Sequence, residues 1–338
     1  MSNAGRLAAI FGCEALALSP DEHAFFRDCD PFGFILFARN IENPDQLVRL
    51  TSQLRDAVGR DAPILIDQEG GRVQRMRAPH WRDWSPPLDA AHAAGADAAL
   101  VLSLRARIIA EELRAVGIDA NCAPVADIAG PETHPFLRNR CYGETAVHVC
   151  ERARSVADAH LAAGVLPVVK HLPGHGRATA DTHHNLPTVT ANPADLAAHD
   201  FAPFRALADL PMAMTAHIIF AAYDPDRPAT QSPEMIRVIR EEIGFQGLLM
   251  TDDLNMQALS GDLGQRTRAS MAAGCDIALH CKGDMAEMLQ VAEEAGDLTP
   301  AARVRADAAL ALRRPVGPVD IAALEADLVR MGQGALNG

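Results

Sequence analysis

The sequence contains no apolar run long enough to cross a bilayer, and its N-terminus lacks a charged segment followed by an apolar signal core. It also lacks an excess of basic residues: 31 lysines and arginines face 44 aspartates and glutamates, so the formal net charge is −13. An acidic chain is not attracted to nucleic acid or to anionic lipid, and we expect neither partner. Together these absences predict a cytoplasmic protein.

Metal-binding and nucleotide-binding patterns are missing as well. None of the seven cysteines stands in a CxxC pair, and their odd number argues against a disulfide framework. We interpret them as reduced, mostly buried residues, and we predict no structural metal and no cofactor. No glycine-rich phosphate-binding sequence follows a strand pattern, which disfavours a doubly wound sheet.

Short apolar runs that end in polar or glycine-rich residues recur along the 338 residues. Helical patterns separate them, and two of these begin where a capping residue precedes proline, at Asn43-Pro44 and Ser232-Pro233. Eight strands alternating with helices predict an α/β fold, a (β/α)8 TIM barrel. We predict one domain, with the barrel over about residues 7–299 and a C-terminal helical extension over about residues 300–338. The runs are residues 7–12, 33–37, 63–66, 120–125, 166–169, 212–215, 248–251 and 277–279.

Ionisable residues stand at the ends of several predicted strands. In a (β/α)8 barrel the carboxyl ends of all strands open onto one mouth, where enzymes of this fold hold their active sites. Because buried charge is costly unless it is paired or used, these residues predict a polar cavity. The residues expected around it are Asp67, Asp127, Lys170, His171, His217 and Asp252.

The segment richest in such residues is VVKHLPGHGRATADTHHN, residues 168–185. Lys170 and His171 end a buried strand and offer several donors to substrate hydroxyls. Asp181 and His183 stand two apart in a loop, so the carboxylate can fix the imidazole tautomer and raise its basicity. A solvent-exposed histidine in a turn is the structural alternative. His175 is expected to hold together the glycine-rich loop that contains Gly174 and Gly176.

Two carboxylates follow another strand directly, in LLMTDDLNM. Asp252, positioned at the strand end and only partly solvated, suits a nucleophile or a general base. The alternative is a helix cap or a pair with an arginine, and we assign that structural role to Asp253.

Arginines complete the candidate site. In IDQEGGRVQR, Arg72 and Arg75 are expected to form a polar corner with Asp67 that can grip a sugar ring, and an internal Asp–Arg salt bridge is the alternative. In RNRCYG, one of Arg138 and Arg140 is expected to point inward and the other to solvent.

Together, KHLPGHG, DTH, TDDLNM, IDQEGGRVQR and NRCYGE resemble the β-N-acetylhexosaminidases of glycoside hydrolase family 3. The resemblance is closest to the single-domain cytoplasmic branch that acts in peptidoglycan recycling, and it covers about residues 7–281 in the family's order. Departures from the family pattern are Leu172 for Phe, Thr182 for Ser and Asn255 for Ser. They change substrate fit more than catalysis, because no catalytic group is replaced.

The resemblance implies a retaining exo-β-N-acetylglucosaminidase that removes terminal non-reducing N-acetylglucosamine from peptidoglycan fragments, GlcNAc-1,6-anhydroMurNAc with or without peptide. It implies that Asp252 is the nucleophile that forms a covalent glycosyl-enzyme, and that His183 with Asp181 is the acid/base. It implies no cofactor; the expected partner is a small carbohydrate and the expected state is a monomer. The positions that match the family's N-acetylglucosamine-binding residues are Asp67, Arg75, Arg140, Lys170 and His171.

Other functions remain open from the residues alone. A metal-dependent hydrolase on the same barrel would use histidines such as His171, His183 and His217 as ligands. Such barrels usually carry HxH at the end of the first strand, where this chain has IFGCEAL. A sugar-binding barrel without catalysis would not need both candidate catalytic groups. Water and phosphate both remain possible acceptors of the glycosyl group.

Overall fold

The fold is built around a parallel sheet that curls into a barrel. The structure, a computed structural model, describes residues 4–179, 185–314, 317 and 319–331. Within that part of the chain, eight parallel strands form one sheet. The strands are β1 Leu7–Phe11, β2 Pro31–Leu36, β3 Ile64–Ile66, β4 Ala120–Asn121, β5 Leu166–Leu172, β6 Met212–Thr215, β7 Leu248–Met250 and β8 Ala278–His280.

The sheet closes between its two edge strands. Its order is β7-β6-β5-β4-β3-β2-β1-β8, and a parallel bridge between Met250 and Ile277 joins β7 to the residue that precedes β8. Each of the eight predicted apolar runs overlaps one of these strands. The predicted (β/α)8 barrel is therefore confirmed.

The fourth strand is shorter than predicted. The run over residues 120–125 forms regular ladder only to Asn121, because Pro124 has no N–H to donate. The chain nevertheless continues beside β5: Val168 N donates to Ala123 O at 3.0 Å, and Lys170 N donates to Pro124 O at 3.1 Å. The extended path therefore carries this segment as far as the barrel mouth.

Helices cover the outside of the barrel, and several begin as the sequence predicts. The Asn43 side chain accepts from Gln46 N at 2.9 Å with Pro44 in the first turn, and the Ser232 hydroxyl accepts from Met235 N at 3.2 Å. In the described residues the α-helices are α1 Pro20–Cys29, α2 Pro44–Val58, α3 Pro87–Ala94, α4 Ala98–Ala115, α5 Pro135–Arg138, α6 Ala146–Ala162, α7 Pro193–Asp195, α8 Ala202–Ala206, α9 Pro233–Arg237, α10 Leu263–Ala273, α11 Met285–Ala295, α12 Pro300–Leu310 and α13 Ile321–Arg330.

Shorter elements connect or extend these helices and strands. The 3-10 turns are Ala38–Asn40, Gly95–Asp97 and Ala229–Gln231, and the π-helical turns are Leu196–Asp200 and Val238–Glu242. Strand Gln68–Gly70 pairs antiparallel with Val73–Gln74, and Thr188–Val189 pairs parallel with Ile219–Phe220.

The barrel interior is filled by side chains and covered at the end where the strands begin. Ile10, Leu65 and Val168 pack inside it together with Ala302 and Ala306 of α12. At the same end, Arg305 Nη2 lies 2.5 Å from Asp276 Oδ1. Helix α12 thus begins at Pro300, where the helical extension was predicted. The assignment of the whole chain to one domain remains a prediction.

None of the helices in the described residues combines the length and the apolarity that a bilayer crossing requires.

Acid is expected to destabilise the fold through buried neutral histidines such as His160. Its ring lies between Asn121 Nδ2, 3.0 Å from Nε2, and Val156 O, 2.9 Å from Nδ1. Burial lowers the pKa of His160 to about 4, from 6.5. Between pH 4 and 6.5 the unfolded chain therefore binds more protons than the folded chain. The contribution of the neutral His160 to the free energy of unfolding is fully present above pH 6.5 and is lost as the pH falls toward 4. Through this one residue, acid can lower the free energy of unfolding by at most about 3 kcal/mol.

The measurement is the free energy of unfolding between pH 7.5 and 4.5. His160→Gln should reduce the pH dependence relative to the wild type. His148→Gln, on the exposed face of the same helix, should leave it unchanged. Equal slopes for the His160 variant and the wild type would contradict the prediction.

Candidate active site

A cavity of about 130 Å³ opens at the carboxyl ends of the strands. Its floor is apolar, because Met214 and Leu279 line it and also belong to the packed barrel interior. Its walls carry the charges. Six residues predicted from the sequence line it: Asp67, Arg75, Arg140, Lys170, His171 and Asp252.

Asp67 binds two cations on the cavity wall. Its Oδ2 accepts from Arg75 Nη2 at 3.0 Å, and its Oδ1 accepts from Lys170 Nζ at 2.8 Å. The internal Asp–Arg salt bridge considered as an alternative therefore exists, and it lies at the cavity. Burial alone would raise the pKa of Asp67, but the charges of Lys170 and Arg75 hold it well below its usual range. Asp67 stays ionised and keeps both cations in place.

Glu69 is a site residue that the sequence analysis missed. Its side chain is fully buried and pairs with Arg140 and Lys170. Burial opposes its charge, yet the two cations lower its pKa below the ordinary value. One signal was available: Glu69 stands two residues after Asp67, so an extended chain places both carboxylates on one side.

Asp127 lies behind the cavity rather than in its wall, which corrects the prediction. Its Oδ2 lies 2.7 Å from His171 Nδ1, and its Oδ1 accepts from His175 N at 2.6 Å. Asp127 therefore orients His171, whose ring lines the cavity, and anchors the glycine-rich loop at His175. Burial lowers the pKa of His175 to about 4, so its imidazole is neutral. Its predicted role in holding the loop agrees with this contact.

His217 was also predicted at the cavity, and that placement is wrong. Its Nδ1 lies 2.7 Å from Thr230 Oγ1, and its Nε2 lies 3.1 Å from Asp253 O. The residue is buried beyond the end of β6 and does not line the cavity. It supports the backbone of the segment that carries Asp252 and Asp253.

Asp252 and Asp253 follow β7 and both line the cavity. Asp252 Oδ1 accepts from Asp253 N at 2.8 Å. Burial raises the pKa of Asp252, but His217, His171, the Asp253 N–H and Lys170 together outweigh it, so the pKa lies below the ordinary value. Asp253 Oδ1 accepts from the N–H groups of Asn255 and Cys281, each at 3.2 Å, so it joins two backbone segments rather than capping a helix or pairing with an arginine as expected. Burial and the Asp252 charge raise the Asp253 pKa to about 6.

The two arginines of RNRCYG divide as expected. Arg140 is buried at the cavity, and Arg138 is partly exposed and pairs with Glu144 at 2.5 Å. The expected place of Arg72 beside Asp67 is wrong: Arg72 stacks on the Phe136 ring, 3.7 Å from its centroid, outside the cavity lining, and Arg75 is the arginine that joins Asp67.

The family is decided by comparison with known proteins. A family model described as "Glycosyl hydrolase family 3 N terminal domain" matches residues 21–311. The chain belongs to glycosyl hydrolase family 3. The family predicted from the motifs, and with it the enzyme class of glycosidase, is thereby confirmed.

Relatives of this family 3 glycosidase include a β-hexosaminidase of Methylococcus capsulatus, 38% identical over 273 residues that cover 78% of this chain and 79% of that protein. NagZ from Neisseria gonorrhoeae, solved with N-trifluoroacetyl-D-glucosamine, is 28% identical with a TM-score of 0.82, covering 98% of this chain and 96% of that one. A Paenibacillus family 3 β-N-acetylglucosaminidase is 30% identical with a TM-score of 0.80, covering 93% of this chain but 63% of that one.

Two predicted catalytic residues of this glycosidase, Asp181 and His183, lie outside the described residues. Their assignment as the acid/base pair stays a prediction. Within the described ranges, no group of three or more His, Cys, Asp or Glu side chains is arranged to hold a metal ion. Both ring nitrogens of His217 have protein partners, so this candidate ligand is already engaged.

Proposed function

We propose that this family 3 glycosidase is a retaining exo-β-N-acetylglucosaminidase. The observation that carries the proposal is an ionised carboxylate, Asp252, facing the same small cavity as a set of fixed polar groups. Lys170, Arg140 and His171 supply donors for sugar hydroxyls, and Asp67 supplies acceptors. The closed floor supports an exo mode of action, because a sugar chain could enter this cavity only by its end.

The proposed mechanism has two displacements at the anomeric carbon. In the first, the Asp252 carboxylate attacks the anomeric carbon while the bond between this carbon and the leaving-group oxygen breaks. The protonated imidazole of His183 donates its proton to the leaving-group oxygen. The neutral imidazole then takes a proton from water, whose oxygen attacks the anomeric carbon and releases Asp252. Asp181 orients His183 in both steps. The product keeps the β configuration.

The natural substrate we propose is a peptidoglycan fragment that bears a terminal β-N-acetylglucosamine. This choice follows the motif resemblance to the recycling branch of the family, and the names of the relatives support the sugar part of it. With it we propose a cytoplasmic monomer in which residues 1–338 form one domain.

The test is a panel of matched p-nitrophenyl β-glycosides, with and without the 2-acetamido group. We expect kcat/KM for the N-acetylglucosaminide to exceed that for the glucoside by at least about 100-fold, because a site built around one polar substituent rejects an analogue that lacks it. NMR of the first product should show the β anomer. Equal rates on both sugars, or an α product, would reject the proposal.

A further inference from the structure

Glu69 lies directly behind the wall that faces the cavity. Its side chain has 0% exposure and does not line the cavity, so it cannot touch a bound sugar. It contacts two cations that do line the cavity, Arg140 and Lys170. Arg140 binds it through two hydrogen bonds, Nε to Oε2 at 2.9 Å and Nη2 to Oε1 at 2.8 Å. Lys170 Nζ lies 2.7 Å from Oε1. One carboxylate thus fixes two cations.

These contacts determine which donors remain for a ligand. Glu69 uses Nε and Nη2 of Arg140, so Nη1 is the guanidinium nitrogen without a protein partner among the described residues. Because the guanidinium is planar, the bidentate pair also fixes the direction of Nη1. Lys170 Nζ is held between Glu69 and Asp67 Oδ1, 2.8 Å away, although its four-carbon stem is flexible. The ion pairs with Glu69 and Asp67 therefore fix the direction in which Arg140 and Lys170 present their remaining N–H groups to a ligand.

The charge on Glu69 is needed as well as its shape. Arg75 and Lys170 each contact Asp67, whereas the carboxylate hydrogen bonds of Arg140 go to Glu69. Burial opposes the charge on Arg140 and Lys170, yet their carboxylate partners raise the pKa of each above its ordinary value. Without Glu69, Arg140 would be a buried cation with no carboxylate partner, which is strongly unfavourable.

We propose that Glu69 is a positioning residue of the glycosidase reaction, orienting the free N–H groups of Arg140 and Lys170 toward the sugar without contacting it. The inference rests on the proposed function, since it takes these two cations to bind the terminal sugar. The terminal sugar ring changes shape as its anomeric carbon reacts, and the N–H groups of Arg140 and Lys170 bind it before and during this change. Donors that point in the wrong direction therefore weaken binding of both the sugar and the transition state.

The deciding variant is Glu69→Gln, which keeps the shape and removes the charge. We expect kcat/KM to fall about 100-fold, the loss typical of reacting groups displaced by about 1 Å. The loss should be the same for good and poor aryl leaving groups, because proton transfer is untouched. Inhibition by N-acetylglucosamine should weaken about tenfold or more, the loss expected when one hydrogen bond from a charged donor to the sugar is lost. Glu69→Asp keeps the charge but has a shorter side chain, and its kcat/KM should lie between those of the wild type and Glu69→Gln.

Glu112→Gln is the matched control. Glu112 is another buried glutamate, its Oε1 2.6 Å from Arg82 Nη1, and it does not line the cavity. Its variant should lower the unfolding temperature but keep kcat/KM within about twofold of the wild type, as expected away from the site. Wild-type kinetics in folded Glu69→Gln, or equal kinetic losses in both variants, would overturn the inference. A wild type that cleaves no N-acetylglucosaminide would instead reject the proposed function.

Discussion

Asp252→Ala should abolish turnover, with kcat falling by at least about 10⁴-fold even on aryl N-acetylglucosaminides with good leaving groups. Alanine cannot attack the anomeric carbon, so no glycosyl-enzyme can form. The structure gives a reason why this carboxylate is suited to attack. His217, His171, the Asp253 N–H and Lys170 together outweigh the effect of burial and hold the pKa of Asp252 below its ordinary value, so it is ionised at neutral pH.

Asp253→Asn is the matched control for Asp252→Asn. Both residues line the cavity, but Asp253 Oδ1 already accepts two backbone N–H groups, and an asparagine oxygen can still accept them. We expect the Asp253 variant to keep turnover and the Asp252 variant to lose it. Turnover in Asp252→Ala near the wild-type rate would remove this residue from the chemistry.

His183→Ala should slow hydrolysis severely for poor leaving groups and spare it for good ones. A phenolate with a low pKa leaves without protonation, whereas a sugar alcohol needs a proton from a general acid. We expect a loss of about 10²–10⁴-fold on poor leaving groups, the range for general acid catalysis. The measurement is a plot of log kcat/KM against leaving-group pKa, which should be steeper for the variant than for the wild type.

His184→Ala, in the same HH pair, is the control and should retain the slope of the wild type. Equal losses for His183→Ala across all leaving groups would contradict the acid role. A steep slope in His184→Ala instead would move the role to the neighbouring residue.

The barrel could be predicted because its strands leave a local signal. A buried parallel strand requires a short run of apolar residues, and a turn or cap must follow it, so each strand and the polar residue at its end are visible in the sequence. The strand over Leu166–Leu172 followed by a glycine-rich segment is an example. For the same reason, the strand-end residues Asp67, Lys170 and Asp252 were found at the cavity.

Side-chain direction beyond a strand end could not be predicted. Asp127 lies six residues after β4 and turns onto His171 and His175, while His217 lies two residues after β6 and turns onto Thr230. These directions depend on loop contacts with distant residues, which no local pattern records. Glu69 was missed for a related reason: its importance comes from Arg140 and Lys170, 71 and 101 residues away in the chain.

The most direct test of the mechanism is to trap the glycosyl-enzyme with a 5-fluoro N-acetylglucosaminyl fluoride and map the label by mass spectrometry. Trypsin should release the labelled peptide over residues 241–266, which also contains Asp253. Fragmentation between the two aspartates therefore decides the assignment. We predict that one sugar is attached to Asp252. A sugar on Asp253 or on another peptide, or an active enzyme that never becomes labelled, would contradict covalent catalysis by Asp252.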